Sequence, residues 1–442
     1  MRRSWIALML LTLAPVLTGA AEAPAPSPSD LSLQQAVALA FQKSPVLQGM
    51  QAEVPGAEAR LREARAQGRL TASTTTFLST GTMPNILTTP APIMPSDLSP
   101  VPATSQADQN LMLMYPLSTG GRVGAEVAGA GADLRATQAD AAATRLQLAY
   151  QVRSDYWQVL LNQEMLKIAL GNLTEQQERL RVDQVSLDAG KIPAYYVLRD
   201  KAEVADAQQT LTNAQRDVQT ALLRLRQDIG LPLDQPLTLT DALAYESRTP
   251  GEAAALSASA LQFRPEAQAA AARVTAAQQE VSSRRGAFRP QVAATLMGDA
   301  FAASGDSGGG YTFGVVASVP LLDGGSRDAG VAEAQAVLRR AEADLAALNL
   351  DLSRQVREAL LNFSAADQNV RTAELAVASA DEDYRVALTR YQAGKAINLE
   401  PLAALTALVR ARTNYAQAIF QQRVALDAVN HATGRLPGDA SS

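Results

Sequence analysis

The chain repeats itself: the segment from Pro116 to Gly230 returns, without a gap, from Pro320 to Gly434. PLSTGG and PLLDGG open the two copies, and both carry QVR, RV and AGK at the same relative positions. About thirty of about 115 paired positions are identical, which is more than a shared richness in alanine would produce. We therefore predict one duplicated structural unit and an assembled object, a tube, in place of an enzyme with a single pocket.

The composition excludes several classes of protein. A formal net charge of −5, without a basic run, argues against nucleic acid as a partner. The absence of cysteine excludes disulfides, thiolate metal sites, redox pairs and an acylated N-terminal cysteine. We predict no cofactor and no bound metal. Abundant alanine with few aromatic residues is typical of long, closely packed helices.

The first residues are typical of an export signal. Arg2 and Arg3 precede an apolar stretch from Trp5 to Leu17, and Ala21-Glu22-Ala23 offers a small-x-small cleavage site. An uncleaved anchor is the alternative. No later segment approaches twenty uninterrupted apolar residues, so we expect any membrane crossing to use strands.

The duplication extends upstream of the ungapped block, because Ser44-Pro45 and Arg264-Pro265 fall at matching places. Pro45 and Pro55 mark candidate breaks in the first helical stretch. We predict a signal peptide (1–23), a disordered spacer (24–30), a first repeat (31–230), a linker (231–254), a second repeat (255–434) and a C-terminal tail (435–442).

Each repeat contains two strand-like intervals. They are predicted at Thr71–Thr80, Gln109–Leu117, Gln291–Phe301 and Tyr311–Leu321. A proline-rich loop separates the first pair, and the glycine-rich string ASGDSGGG is predicted as the loop of the second. From Tyr311 to Val319 apolar and small or polar residues alternate, as expected where one face meets lipid and the other meets water.

A long helix follows the strands in each repeat. Its start is predicted at strand-to-helix junctions formed by Pro116, Gly120 and Gly121, and by Pro320, Gly324 and Gly325. About 70 residues without proline follow, which corresponds to a helix about 100 Å long. Return helices are predicted at Tyr196–Ile229 and Leu399–Thr433. Heptad spacing predicts coiled-coil-like packing through Val127, Leu134, Ala141 and Leu148, and through Val331, Leu338, Leu345 and Leu352.

Four strands are too few to close a barrel, because small closed barrels need about eight. An open sheet would leave unpaired edges, which lipid does not tolerate. We therefore expect several copies of the chain to pool their strands, eight from two copies or twelve from three. The expected object is a homo-oligomeric tube that contacts outer-membrane lipid through strands and extends into the periplasm through helices.

Several short motifs make the chain resemble the TolC-like outer membrane efflux protein family. They are PLLDGG from Pro320, the weaker PLSTGG from Pro116, RPE at 264–266, FRP at 288–290, YQAGK at 391–395 and DAGK at 188–191. The resemblance implies a mainly helical fold with a transmembrane β part. It implies a homotrimer with a twelve-stranded β-barrel and an α-barrel of long helical hairpins. The implied role is an exit duct for drugs, metals or secreted proteins, with a periplasmic adaptor and an inner-membrane transporter as partners. The missing cysteine places it with the unlipidated branch.

The resemblance also implies site residues. The adaptor-docking tips correspond to Ala189, Gly190, Lys191 and Ile192 and to Ala393, Gly394, Lys395 and Ile397; helix capping explains the same glycines. The periplasmic gate corresponds to Glu400, with Arg199 and Asp200 as pairing partners, whereas the second acidic position of the family is Ala403 here. A solvated helix face is the alternative for each of these charges.

Two other interpretations have less support. The string at 305–309, GDSGG, is similar to the nucleophile segment of chymotrypsin-like proteases and fits G-x-S-x-G, but the single histidine, His431, lies in a predicted return helix. We therefore predict no catalytic residues and no enzyme activity. A periplasmic coiled-coil scaffold or adaptor without a pore is the first alternative function, and a diffusion porin the second.

Overall fold

The computed structural model describes residues 30–81, 104–303 and 306–435. The predicted signal peptide, most of the spacer and all but one residue of the C-terminal tail lie outside them. The elements are β1 (Asp30–Leu31), α1 (Leu33–Lys43), α2 (Pro45–Ala66), β2 (Thr71–Gly81), β3 (Thr104–Ser118), α3 (Arg122–Asp188), α4 (Ala194–Ile229), β4 (Thr238–Leu239), α5 (Ala253–Phe263), α6 (Pro265–Gly286), β5 (Gln291–Ala303), β6 (Asp306–Ser318), α7 (Ser326–Gln392) and α8 (Leu399–Ala432).

The predicted fold class of long antiparallel helical hairpins with four long strands is confirmed. Two short helices, two strands, a long helix and a return helix occur twice in that order. The long helices α3 and α7 have 67 residues each, or about 100 Å. Within the described residues, no helix has both the length and the apolar content of a membrane-spanning helix.

The four long strands form one antiparallel sheet in the order β2-β3-β5-β6. Among the described residues, the outer strands β2 and β6 each have one partner, so both edges of the described sheet are open. The predicted glycine-rich loop is wrong for residues 306–310, which belong to β6 and pair with β5. A run of glycines lacks the alternating side chains that predict a strand. Its backbone can still form the hydrogen bonds of a sheet with β5. The structure does not describe residues 304 and 305.

The register divides the sheet into an apolar and a polar face. Directly opposite residues of an antiparallel sheet share a face. One such row is Ala72, Leu113, Leu296 and Phe313, and its neighbour is Thr74, Leu111, Gly298 and Tyr311. The opposite face is the more polar one: it carries Asp108, Asn110 and Asp299 beside Phe77, Phe301 and three methionines. This division matches a sheet with one face toward lipid and the other toward water.

The two prolines predicted at the strand-to-helix junctions lie at different places, and only Pro116 departs from the prediction. Pro116 lies inside β3, next to a register shift before Ser118, whereas Pro320 lies beyond β6. Proline is tolerated at that position because the pairing of β3 with β2 already ends at Met114. The glycine pairs Gly120-Gly121 and Gly324-Gly325 do turn the chain into α3 and α7, with φ between 64° and 89°.

The heptad prediction has the right period but the wrong row. In α3 the buried row is Ala125, Ala132, Ala139 and Leu146, two positions before the predicted row, and Leu148 alone of the predicted α3 row is buried. In α7 only Leu352 of the predicted row is buried. Small residues let α6 approach α3 closely, since a Cβ at Gly129 of α3 would lie 3.5 Å from the Cβ of Gln279 on α6. Pro55 does not break α2, whereas Pro45 begins it.

Candidate functional site

Both hairpin tips have the same backbone geometry. Gly190 and Gly394 adopt φ of 70°, the left-handed conformation that glycine provides without strain. The N–H of Lys191 donates to the carbonyl of Ser186 over 2.9 Å, and the N–H of Lys395 donates to the carbonyl of Arg390 over 2.8 Å. These bonds are the six-to-one closure of a Schellman motif.

The tips present an open surface. Ala189, Gly190 and Lys191 are exposed and Ile192 is half-buried; in the second tip, Ala393, Gly394, Lys395 and Ile397 are exposed. A Cβ atom at either tip glycine would meet nothing within 4 Å. Within the part of the chain that the structure describes, both tip glycines therefore face open space that a partner could occupy.

The structure separates the predicted gate residues. Glu400 is exposed and pairs with Arg390 over 3.5 Å, and Ala403 is also exposed. Asp200 is completely buried, and Arg199 beside it is half-buried. The sequence prediction treated Asp200 as a surface partner, whereas the fold places its carboxyl group between the two hairpins.

A polar group near the tips, which we name the tip cluster, consists of the buried residues Asp183, Asp200 and Asn398 and the half-buried residues Arg179 and Tyr391. The Tyr391 hydroxyl donates to Asp183 Oδ1 over 2.6 Å, and Asn398 Nδ2 donates to Asp183 Oδ2. Arg179 Nη2 donates to the backbone oxygen of Asn398 over 2.5 Å. Residues of α3 therefore bind the end of α7 and the start of α8, so the cluster ties the first hairpin to the second.

Asp200 is the electrostatically unusual member of the tip cluster. Its Oδ1 lies 3.5 Å from Arg179 Nε, yet no described donor hydrogen-bonds to either of its oxygens. Burial, followed by the neighbouring Asp183 carboxylate, raises the pKa of Asp200 to about 7, against the opposing effect of Arg179 and Arg199. Burial and the hydrogen bond to Asp183 also raise the pKa of Tyr391. The Asp200 carboxyl group therefore gains or loses its proton near neutral pH.

Sequence reasoning missed four of the five members of this cluster. One signal was present in α3, where the buried positions Ala169, Gln176 and Asp183 lie seven residues apart. Polar residues at buried heptad positions of a long helix indicate buried polar contacts. Their partners on α7 and α8 could not be read, because more than 200 residues separate them from Asp183.

A second polar site joins the two repeats between α3 and α8. Trp157 Nε1 on α3 donates to Asp427 Oδ2 on α8 over 2.8 Å, and Arg153 forms an ion pair with Asp427 over 2.7 Å.

The single histidine of the chain, His431, stacks on Tyr150 with ring centroids 5.0 Å apart. Burial lowers the pKa of His431 to about 4, so the ring is neutral at physiological pH.

Comparison with known proteins places this geometry among outer-membrane channels. The family model described as "Outer membrane efflux protein" matches residues 36–231 and 256–435. Among curated proteins, the chain is similar to the pyoverdine export outer membrane protein OpmQ of Pseudomonas aeruginosa, with 28% identity over 301 residues. That alignment covers 66% of this chain and 61% of the relative, so the match spans less than two thirds of OpmQ.

Solved structures share the fold at low sequence identity. The outer membrane protein VceC of Vibrio cholerae has a TM-score of 0.76 at 20% identity, over 91% of this chain and 96% of VceC. The MtrE outer membrane channel of Neisseria gonorrhoeae, in its open state, has a TM-score of 0.78 at 18% identity, over 93% of this chain and 91% of MtrE. The likeness therefore extends over nearly the whole described chain.

Proposed function

This chain belongs to the outer membrane efflux protein family, and from that premise we propose that it forms a passive exit duct across the outer membrane and the periplasm. The observation that carries the proposal is the sheet, whose faces are apolar and polar and whose two edges are open. The family consists of transport proteins, and its location is the outer membrane. The duct has no catalytic step of its own; Ser307 serves as a strand residue of β6.

The test of this proposal is conductance. The purified protein, reconstituted in a planar lipid bilayer, is expected to form discrete ion-conducting channels. A protein that stays in the soluble periplasmic fraction and never raises bilayer conductance would instead favour the scaffold alternative.

The homotrimer is supported by an exposed row on α7. Leu350, Leu361, Leu375 and Val386 are all exposed. Spacings of 11 and 14 residues return to the same face of a helix with 3.6 residues per turn. Two of their repeat partners in α3, Leu146 and Trp157, are buried in this chain, whereas the other two, Gly171 and Val182, are exposed. The part of the face around Leu350 and Leu361 is thus covered in the first repeat and uncovered in the second.

The repeat also indicates what covers that row. Within the chain, Trp157 on α3 contacts Asp427 on α8. The two repeats are offset by 204 residues. Adding 204 to the number of Trp157 gives Leu361 on α7, and subtracting 204 from that of Asp427 gives Leu223 on α4. Both leucines are exposed, 68% and 44%, so an apolar pair occupies the positions of the polar pair. We propose that α4 of a second copy covers α7, and that β6 likewise pairs with β2 of that copy.

The tips are the proposed contact with a periplasmic adaptor, which links the duct to an inner-membrane transporter. Gly394→Pro is expected to abolish export while the trimer still assembles. Proline fixes φ near −65° and lacks the N–H, whereas Gly394 has φ of 70° and donates to Tyr391 over 2.9 Å. Export is measured as drug tolerance of a complemented deletion strain, and assembly by cross-linking. Normal export by this variant, at normal abundance, would remove the tip from the mechanism.

We propose that the tip cluster, through the buried Asp200, holds the periplasmic mouth closed, and that the exposed Glu400 and the half-buried Arg199 line that mouth. This proposal has a pH dependence. Burial raises the pKa of Asp200 to about 7 in the closed cluster, so the cluster is most stable with Asp200 protonated, and this contribution to closure is lost as the pH rises through 7. Channel conductance is therefore expected to be higher at pH 8 than at pH 5.

Asp200→Asn is the matched variant for this pH dependence. The amide resembles the protonated carboxyl group in shape but does not ionise, so conductance is expected to be low and equal at both pH values. If Asp200→Asn retains the full pH dependence of the wild type, a different group controls the mouth.

A further inference from the structure

The polar face of the sheet carries three methionines close together. In the sequence LMLM at 111–114, the alternation of β3 places Leu111 and Leu113 on the apolar face and the two methionines on the polar face. Met112 lies directly opposite Met297 of β5, and Met114 lies opposite Thr295, next to Met297. Three of the nine methionines of the chain therefore share one patch of two adjacent strands.

The register brings the three thioether groups within reach of one point. Directly opposite residues have Cβ atoms about 4.5–5.5 Å apart, and diagonal neighbours about 7–8 Å apart. A methionine side chain has three rotatable bonds, which lets its sulfur move by more than these separations require. Met114 and Met297 are 40% and 39% exposed, so they are not committed to a packed core.

The surroundings of the patch favour a positive ion. Ser73 and Thr312 flank the Met112–Met297 pair, and neither carries a charge. Asp299 lies two residues beyond Met297 on the same face, and Asp108 lies further along β3. These carboxylates attract a cation, whereas neutral thioether sulfur selects a soft one. A hard divalent ion prefers oxygen ligands and gains little from sulfur.

We propose that Met112, Met114 and Met297 form a three-thioether site for a soft monovalent cation, Cu(I) or Ag(I). All three ligands come from one chain, so the site requires neither the trimer nor the export function. Thioethers do not titrate, so the site binds its ion over the whole physiological pH range. In the assembled duct the site lies on the wall that faces the conducted solution.

The test uses the full-length purified protein in detergent and Cu(I) in competition with the chelator bicinchoninate. The expected result is one Cu(I) per chain, with sulfur neighbours in X-ray absorption. Met297→Leu, which keeps the volume but removes the sulfur, is expected to weaken binding by about tenfold or more. Met165→Leu is the matched control, because Met165 lies on α3 away from the sheet, and it is expected to bind like the wild type.

A second measurement keeps the proposal testable if a variant assembles poorly. Ag(I) added to the wild-type protein is expected to protect Met112, Met114 and Met297 from oxidation by hydrogen peroxide, as mapped by mass spectrometry, while Met165 stays unprotected. Methionines that serve only as a pliable apolar lining would give equal Cu(I) binding by the wild type and the triple leucine variant, and no selective protection. Either result would overturn the site.

Discussion

Replacing Leu361 with lysine is expected to prevent assembly of the trimer while leaving the protomer folded. Leu361 is exposed in the single chain, so the substitution removes no contact within it. In the proposed assembly it meets Leu223 of a neighbouring copy. Each buried leucine contributes about 1.5–3 kcal/mol, and every seam of a closed ring loses that contribution at once. Cross-linking and size-exclusion chromatography in detergent would measure the loss, and circular dichroism would report the fold.

The repeat supplies the controls for this experiment. Leu223→Glu alone is expected to fail in the same way, whereas the double variant with Leu361→Lys places opposite charges at the seam and is expected to recover part of the trimer. Leu233→Lys changes a leucine in the linker whose exposure, 52%, lies between those of Leu223 and Leu361, and it is expected to assemble normally. Normal trimers from both single seam variants would contradict the proposed contact of α7 with α4.

Gly120 and its repeat partner Gly324 test the same proposed interface between copies, at the end nearer the sheet. A Cβ at Gly120 would lie 2.5 Å from the Gly286 carbonyl oxygen, whereas a Cβ at Gly324 would meet nothing within 4 Å in the single chain. Gly286 ends α6, and its counterpart in the first repeat is the end of α2. In the proposed assembly, the end of α2 of the next copy therefore lies close to Gly324. Gly120→Ala is therefore expected to impair folding of the protomer. Gly324→Ala has the same backbone strain but is expected to impair assembly more than folding.

The helical architecture could be predicted because its signals are local. Long stretches without proline, bounded by glycines at Gly121, Gly190, Gly325 and Gly394, locate both hairpins within a few residues. The duplication then gives two estimates of each boundary. Strand pairing was less accessible, because the glycines at 308–310 are strand residues only by virtue of their partner β5.

The candidate site was predictable only at its surface. The tips follow from the AGK turns, whereas the burial of Asp200 depends on how one hairpin lies against the other. Asp183 bonds to Tyr391 and Asn398 across more than 200 residues, and no local pattern encodes that approach. The heptad row failed for a similar reason: which of two rows is buried depends on the neighbouring helices, not on the period.

The tip cluster leads to the second large effect: Tyr391→Phe is expected to raise channel conductance, and Asp183→Ala is expected to raise it further. Tyr391 donates to Asp183 over 2.6 Å, and a hydrogen bond to a charged group contributes about 1.5–3 kcal/mol. Removing it shifts a closed-to-open equilibrium by about 10-fold to 150-fold. Asp183→Ala removes the acceptor of two hydrogen bonds, from Tyr391 and from Asn398. It is therefore expected to destabilise the closed state more than Tyr391→Phe does.

Single-channel recording in planar bilayers would measure both variants, with Tyr384→Phe as the control. Tyr384 also joins α7 to α3, through a 2.9 Å hydrogen bond to Glu175, but Glu175 is exposed. Water replaces an exposed hydrogen bond at little cost, so this variant is expected to conduct like the wild type. Equal effects of Tyr384→Phe and Tyr391→Phe would mean that the hairpins are held together along their whole length. A large effect of Tyr391→Phe alone would locate the closing contact at the tip cluster, where burial makes the loss of a single acceptor costly.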